Sequence, residues 1–435
     1  MPAPADASAA SVASTHEFPP AKPREIFGWC CFDFANSAFV TVIVTVIYLP
    51  YFTKVVAPDS AAAAAWWGIT LAIAQGLVLL VSPLIGAMAD LRAAKKKLLA
   101  ITAGICSLAT LALYFVGAGE AFLALFLVGS ATAAFYLSEN ICAGFLPEIS
   151  TPETAGRISG YGWSFGYFGG LLCLALAFWM IEGLKRPVPE VFAMTGLFFA
   201  FAALPTLLLL RERAVPKKLP AGQSLFAASW GENLRSLRAL AAPNHRTLAL
   251  FFASLFFATA GLTAVVAFAS GFAEGVIGFT TPEVIKLFAV LQLAGVAGAS
   301  GFGFLQDKTS PKLALSLALM LWIVVCVAAC LCPAGAKGVF YAIGIGAGIA
   351  MGAFQSGGRA VVALFTPPGK SGEYFGFWGF FSKLAGVIGQ PVFGLLAAWL
   401  GYRAAILANA TFFAVGLAIL LPLTLRPASS TETSS

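Results

Sequence analysis

The sequence predicts an all-α integral membrane protein with twelve transmembrane helices arranged as two six-helix repeats. Three observations predict it. The 435 residues are 60% hydrophobic and only 10% charged, with a mean hydropathy of +0.89, whereas soluble domains carry roughly 25% charged residues. Apolar runs of about 20 residues, each long enough to cross roughly 30 Å of hydrocarbon, recur along the whole chain. Short polar motifs of the first half return in the second. A bilayer offers no water to backbone groups, so only helices and closed barrels span it, and unbroken apolar runs select helices.

Residues 1–26 open with an Ala/Ser/Pro-rich stretch without a basic start and apolar core, so they read as a disordered cytoplasmic tail rather than a cleaved signal. Six spans follow at 27–53, 64–89, 97–117, 121–146, 158–181 and 190–210, making an N-terminal bundle over 27–210. The stretch 211–245 breaks the pattern: Arg211, Arg213, Lys217, Lys218, Arg235 and Arg238 mark it as a polar linker. Six further spans at 246–272, 283–306, 312–332, 336–365, 373–399 and 402–425 make the C-terminal bundle over 246–425, and 426–435 is a second tail.

Charge fixes the expected orientation. With the N-terminus in the cytoplasm, the tails and even-numbered loops hold 18 of the 26 Lys and Arg, the odd-numbered loops hold 6, and Arg359 and Lys383 lie inside spans. Cytoplasmic loops collect basic residues, so both termini and the linker are expected in the cytoplasm. The net charge of +7 is accounted for by these short loops, and nucleic acid is not expected as a partner. Eight cysteines sit almost entirely inside apolar runs, where they behave as small hydrophobes. Cys326 and Cys330 share a helical face with no His or carboxylate near them, so neither a metal site nor a disulfide framework is expected, and no cofactor is implied.

The repeat is visible in two places. Gly86 and Asp90, with Arg92 and Lys95 to Lys97 after them, follow span 2; Gly303 and Asp307, with Lys308 and Lys312 after them, follow span 8. Pro152, Gly156 and Gly160 stand 216 residues before Pro368, Gly372 and Gly376, and the aspartates are 217 apart. Two parallel six-span halves of this kind describe a transporter architecture. Gly86, Asp90, Arg92, Gly303, Asp307 and Lys308 are therefore expected to form gating loops.

Charges inside spans each cost several kcal/mol unless paired or hydrated. Four occur: Asp33 in span 1, Glu139 in span 4, Arg359 in span 10 and Lys383 in span 11. The acids can exchange protons as a cavity opens; alternatively, either can form a permanent pair with Arg359 that locks helices together. Lys383 suits a substrate carboxylate better than a pair with Glu373, ten residues earlier on the same helix. Asn36, Asn140 and Gln355 lie beside these charges and can hydrogen-bond a solute or join helices.

Two motif matches carry no chemistry. Gly162-Trp-Ser164-Phe-Gly166 fits a hydrolase nucleophile pattern, but it falls inside a helix, and the histidines, His16 and His245, lie in tail and linker. Gly344, Gly346 and Gly348 lack the Lys-Ser/Thr of a phosphate loop and serve helix packing. An enzyme is not expected.

The loop motif resembles that of the major facilitator superfamily, Gly-x-x-x-Asp-Arg/Lys-x-Gly-Arg-Arg/Lys, although Leu91 follows Asp90 directly and Ala94 stands in the Gly-Arg region. Within it the chain is similar to the vacuole-effluxer-like group related to autophagy-type amino-acid effluxers. The carrying residues are Trp29, Asp33, Asn36, Ser37 and Phe39; Pro147, Glu148, Gly156, Arg157 and Gly160; Gly166, Tyr167, Gly169 and Gly170; and Gln355 to Arg359, Pro367, Pro368, Glu373 and Lys383. The resemblance implies a monomeric major facilitator fold, surrounded by lipid in a bacterial inner membrane, in which spans 1, 4 and 10 line a cavity and spans 3, 6, 9 and 12 face lipid. It also implies secondary transport of a small organic solute by alternating access, with amino acids or related carboxylates as the leading class; the embedded acids Asp33 and Glu139 make protons the expected coupling ion. Efflux of amphipathic drugs, or a transport-inactive receptor on the same fold, are the alternatives.

Overall fold

A computed structural model of the chain describes residues 21–57, 63–216, 224–240 and 246–425. Of the disordered tails expected at 1–26 and 426–435, residues 1–20 and 426–435 lie outside them, while Pro23–Ile26 correct the expectation by forming the first turn of span 1. Among the described residues, eleven helices are long and apolar enough to cross a membrane. The last of these, Ser371–Leu420, has 50 residues. At 1.5 Å per residue it would measure about 75 Å, more than twice the hydrocarbon thickness. It is parted at Gly401, whose φ of 81° and ψ of 163° are open to glycine but costly for a residue with a Cβ. Its two arms are spans 11 and 12, so the chain crosses twelve times.

In order, spans 1–6 are Pro23–Val56, Trp66–Arg92, Lys95–Phe115, Ala121–Ile149, Ala155–Gly183 and Val188–Leu209; spans 7–10 are Arg246–Ile277, Glu283–Lys308, Pro311–Leu331 and Lys337–Phe365. Helix starts follow local chemistry. Pro23 fills the first position of span 1 while Glu25 reaches back to the amide of Lys22. Thr280 and Glu283 make a capping box ahead of span 8, and the Ser310 hydroxyl accepts from the Leu313 amide at the start of span 9. Span 1 is not a plain α-helix: Val40–Ile47 and Phe52–Val56 are π-helical turns, a form that often marks functional segments.

The two halves meet through spans 2 and 11 and through spans 5 and 8. On the side that carries the linker, both pairs approach at backbone distance. A Cβ on Gly86 would stand 2.0 Å from the Gly372 carbonyl oxygen, and one on Gly156 2.6 Å from that of Gly303. Only glycine allows these crossings. Large apolar side chains such as Leu108 of span 3, Phe201 and Leu208 of span 6 and Val324 of span 9 face outward, as lipid-facing surfaces do.

Two further features differ from the sequence expectation. Spans 5 and 11 begin at Ala155 and Ser371 rather than at 158 and 373, which places Gly156, Arg157, Gly372 and Glu373 in first helical turns. The linker also contains a helix, Leu225–Leu240, lying mainly against span 2; its polar composition hid an amphipathic pattern.

Candidate functional site

Between the halves lies a cavity of about 290 Å³. Asp33 and Asn36 reach it from span 1, Glu139 and Asn140 from span 4, Gln355 from span 10 and Lys383 from span 11, with Tyr136, Trp163 and Trp378 as aromatic walls. Asp33, Asn36, Ser37 and Val40 are spaced three or four apart, so one face of span 1 delivers all four. Six of the seven residues expected at a substrate or proton site line this one space. The seventh, Arg359, lies one turn from Gln355 on span 10 and is buried behind Asp33.

Two ion pairs at the cavity join one half to the other. Arg359 donates to Asp33 at 2.7 Å, through Nε to the Ser159 hydroxyl at 3.1 Å and through its remaining nitrogen to the Ser159 carbonyl at 2.9 Å. Its guanidinium lies over the rings of Trp29 and Trp163, at 4.6 and 5.3 Å from their centroids. Three of the five N–H donors of the planar guanidinium are thus engaged, by carboxylate, hydroxyl and carbonyl, and its face is covered by two rings. Ser159 itself donates to the Ser356 carbonyl of span 10, so the Arg359 contact is stitched from both sides.

The second pair is looser. Lys383 Nζ stands 3.6 Å from Glu139 and 3.5 Å from the centroid of Tyr136. The Lys383 and Glu139 side chains are 12% and 19% exposed, against 3% and 13% for Arg359 and Asp33. In this structure Arg359 is therefore partnered by Asp33, while Glu139 is partnered by Lys383 and not by Arg359. Lys383 does not contact Glu373, which lies 3.8 Å from Lys370. Gln355 accepts from the Tyr167 hydroxyl at 2.8 Å, and the Asn140 amide donates to the Ser82 hydroxyl at 2.8 Å. The Oδ1 atoms of Asn36 and Asn140 are buried with no hydrogen-bond partner among the described residues, an arrangement that calls for a reason.

Toward the linker side the cavity ends at two related contacts. Asp90 accepts from the amides of Gly372 and Glu373, both at 2.9 Å. Asp307 accepts from those of Gly156 and Arg157, at 2.8 and 2.9 Å. The donors are the free N–H groups of a helix start, which favour a carboxylate. Each aspartate caps a helix of the opposite half, and the repeat offset of 216–217 relates the two. Gly86 and Gly303 sit at the backbone crossings beside them.

The expected cations are a correction. Arg92 and Lys308 are exposed; a residue one or two positions after an aspartate points about 100–200° away around the helix. The cations beside the aspartates are Lys95, buried at 3.9 Å from Asp90, and Arg157, at 3.9 Å from Asp307. Lys95 also bonds Glu148 and, at 2.6 Å, the Ser371 hydroxyl. The two contacts are therefore chemically unequal, because Glu373 occupies the position that Arg157 holds in the other half and Lys95 stands among Asp90, Glu148 and Ser371. Glu25 of span 1 pairs with Arg213 and Arg211, which ties the start of the linker to the first half.

This fold and a polar cavity bridged by charge pairs between two pseudo-repeated halves define a transporter of the major facilitator superfamily. The chain belongs to the family described as vacuole effluxer Atg22 like, whose model matches residues 60–432. It is 24% identical to YxiO of Bacillus subtilis, an MFS-type transporter, over 90% of this chain and 93% of that protein. It is 25% identical to autophagy-related protein 22 of Cryptococcus neoformans over 56% of this chain and 48% of that one, so it spans about half of the fungal relative. The human organic anion transporter MFSD10 shares the fold, with a TM-score of 0.76 at 15% identity, covering 92% of this chain and all of that structure.

Proposed function

We propose that this protein is a secondary active carrier that moves a small carboxylate-bearing solute, with amino acids as the leading class, in a cycle coupled to protons. One observation carries the reading: the cavity between the halves is lined by the Glu139–Lys383 pair, which is loose and partly exposed, while the neighbouring Arg359 is buried outside the lining and held close to Asp33 and Ser159. A solute carboxylate competes for Lys383 more readily than for Arg359, and the displaced Glu139 is then free to take a proton or a solute ammonium. The orphaned oxygens of Asn36 and Asn140 supply further acceptors once the helices move. The size of the cavity, about 290 Å³, is at the lower end of small-molecule sites and suits a metabolite rather than a bulky amphipathic drug.

Alternating access follows from the same contacts. Asp33–Arg359, Glu139–Lys383, Asp90–Gly372 and Asp307–Gly156 all join one half to the other, so opening toward the linker side breaks all four together. With the linker in the cytoplasm, the structure corresponds to the state closed on the inside. Counterflow in proteoliposomes with a panel of labelled amino acids and related acids tests the solute class. Exchange of at least one amino acid, inhibited by its unlabelled form, is expected; exchange confined to uncharged or cationic amphipaths overturns the assignment.

A further inference from the structure

The linker helix and the loop between spans 2 and 3 form a surface that the central cavity does not use. At 100° per residue, three faces separate around the helix. Ala228, Ser229 and Asn233 are buried against the bundle. Phe226, Trp230 and Leu234 are exposed and spaced by four, giving an apolar stripe about 80° wide, in which the Phe226 and Trp230 rings stack at 6.4 Å. Arg235 and Arg238 are exposed on the third face. A helix lying at a bilayer surface beside its own bundle has this division, with one side on protein, one on the acyl boundary and one among headgroups. Tryptophan at such a depth is a common interfacial anchor.

A second observation is independent of the helix pattern. Where the helix begins at Leu225, a broad cleft of about 870 Å³ is walled by Arg92, Lys96 and Lys97. Its acid, Glu212, accepts from the Lys96 amide at 2.8 Å, and burial pushes its carboxyl above the usual range. Lys96 Nζ is held by the Leu210 carbonyl at 2.7 Å, while Arg92 and Lys97 are exposed. Cations thus gather where spans 2 and 3 meet, beside the start of the linker helix.

We propose that this platform binds anionic phospholipid of the leaflet on the linker side. Phosphate headgroups sit against Arg92, Lys97, Arg235 and Arg238, and acyl chains cover Phe226, Trp230 and Leu234. Asp90 and Lys95 belong to the same loop, so the lipid lies next to a gate contact.

The test uses the full chain in nanodiscs of phosphatidylcholine containing either phosphatidylglycerol or phosphatidylcholine brominated near the headgroup. The Trp230 signal is the difference between wild type and Trp230→Phe. Stronger quenching by the brominated phosphatidylglycerol is expected. The preference should fall about fivefold for each charge removed, both in Arg235→Gln/Arg238→Gln and in Arg92→Gln/Lys97→Gln, and inorganic phosphate should not alter it. Equal quenching by the two lipids in wild type overturns the headgroup assignment without recourse to any variant. Loss of the preference on adding phosphate assigns the cleft to a soluble anion and also overturns it. Quenching by aqueous iodide but by neither lipid places the stripe in water or under a soluble partner, and the proposal fails.

Discussion

Arg359, from the second half, is held 2.7 Å from Asp33 of the first and is bonded at the same time to the hydroxyl and carbonyl oxygens of Ser159. A buried pair of this kind is not a reservoir of net stability, because desolvation offsets much of the attraction. Its importance lies in the cost of breaking it on one side. Arg359→Ala leaves Asp33, 13% exposed at the cavity wall, without its guanidinium partner, at a cost below the ~3–5 kcal/mol of a fully buried pair, and is expected to lower the thermal midpoint. Arg359→Lys keeps the charge but cannot serve Asp33, Ser159 and two rings together. It should fold, with linker-side spin-label distances shifted toward opening; unchanged distances would show that the contact does not hold this side closed.

Lys95 is the cation of the gate around Asp90, so its removal should be worse than removal of one of its acids. Lys95→Gln leaves Asp90 and Glu148 buried together without the ammonium that joins them. Lys95→Gln/Glu148→Gln removes one charge of each sign and should recover much of the lost stability. A coupling of about 0.5–3 kcal/mol between the two substitutions is expected from thermal melts of the four-member cycle. Additive effects would mean that the pair is not energetically joined.

Asp90→Asn removes the charge that two helix-start amides share. Charge-assisted hydrogen bonds are worth about 1.5–3 kcal/mol, enough to move the population toward opening on the linker side by about tenfold or more. Gly86→Ala should act in the same direction through sterics, since the new methyl meets the Gly372 carbonyl. Cross-linking between the linker-side ends of spans 2 and 11 reads both variants. If it stays at the wild-type level in each, the Asp90 contact has no gating role.

The cavity was legible in the sequence because charges inside apolar runs are rare and expensive. Asp33, Glu139, Arg359 and Lys383 stand out for that reason; Asn36 and Gln355 follow from Asp33 and Arg359 by helical spacing, and Asn140 as the direct neighbour of Glu139. The pairing was not legible: either acid could have met Arg359, and only the packing of spans 1, 5 and 10 around Ser159 selects Asp33. Hydropathy also failed at span ends. Glu148 and Lys95 were counted with loops, although both are buried, because ionic partners rather than apolar neighbours compensate them. The amides of Gly156 and Gly372 carry no side-chain signal at all, and a shift of two or three residues in a helix start decides whether they can donate.

Topology rests on the distribution of basic residues and is open to direct labelling. In a cysteine-free background, Glu120→Cys and Arg186→Cys should react with an impermeant thiol reagent applied outside intact cells. Ser224→Cys, exposed at the head of the linker helix, should react only after the cells are permeabilised. Labelling of Ser224→Cys in intact cells would invert the orientation and, with it, the side on which the gate is closed.

The final prediction separates solute from proton. Lys383 and Glu139 are 3.6 Å apart and partly exposed, so each can be changed without emptying a tightly bonded site. Lys383→Ala removes the cation offered to the solute carboxylate and should weaken binding by tenfold or more, given about 1.5–3 kcal/mol for a charged hydrogen bond. Glu139→Gln keeps the shape and a hydrogen-bonding group but fixes the site in an uncharged form. If Glu139 carries the proton, this variant should still exchange labelled for unlabelled solute, because exchange needs no net proton movement, while accumulation driven by an imposed pH gradient is lost. Accumulation at the wild-type level in Glu139→Gln would remove Glu139 from the coupling step. Wild-type transport indifferent to the gradient would remove protons from the cycle altogether, and full binding in Lys383→Ala would end the carboxylate assignment while leaving the transporter fold untouched.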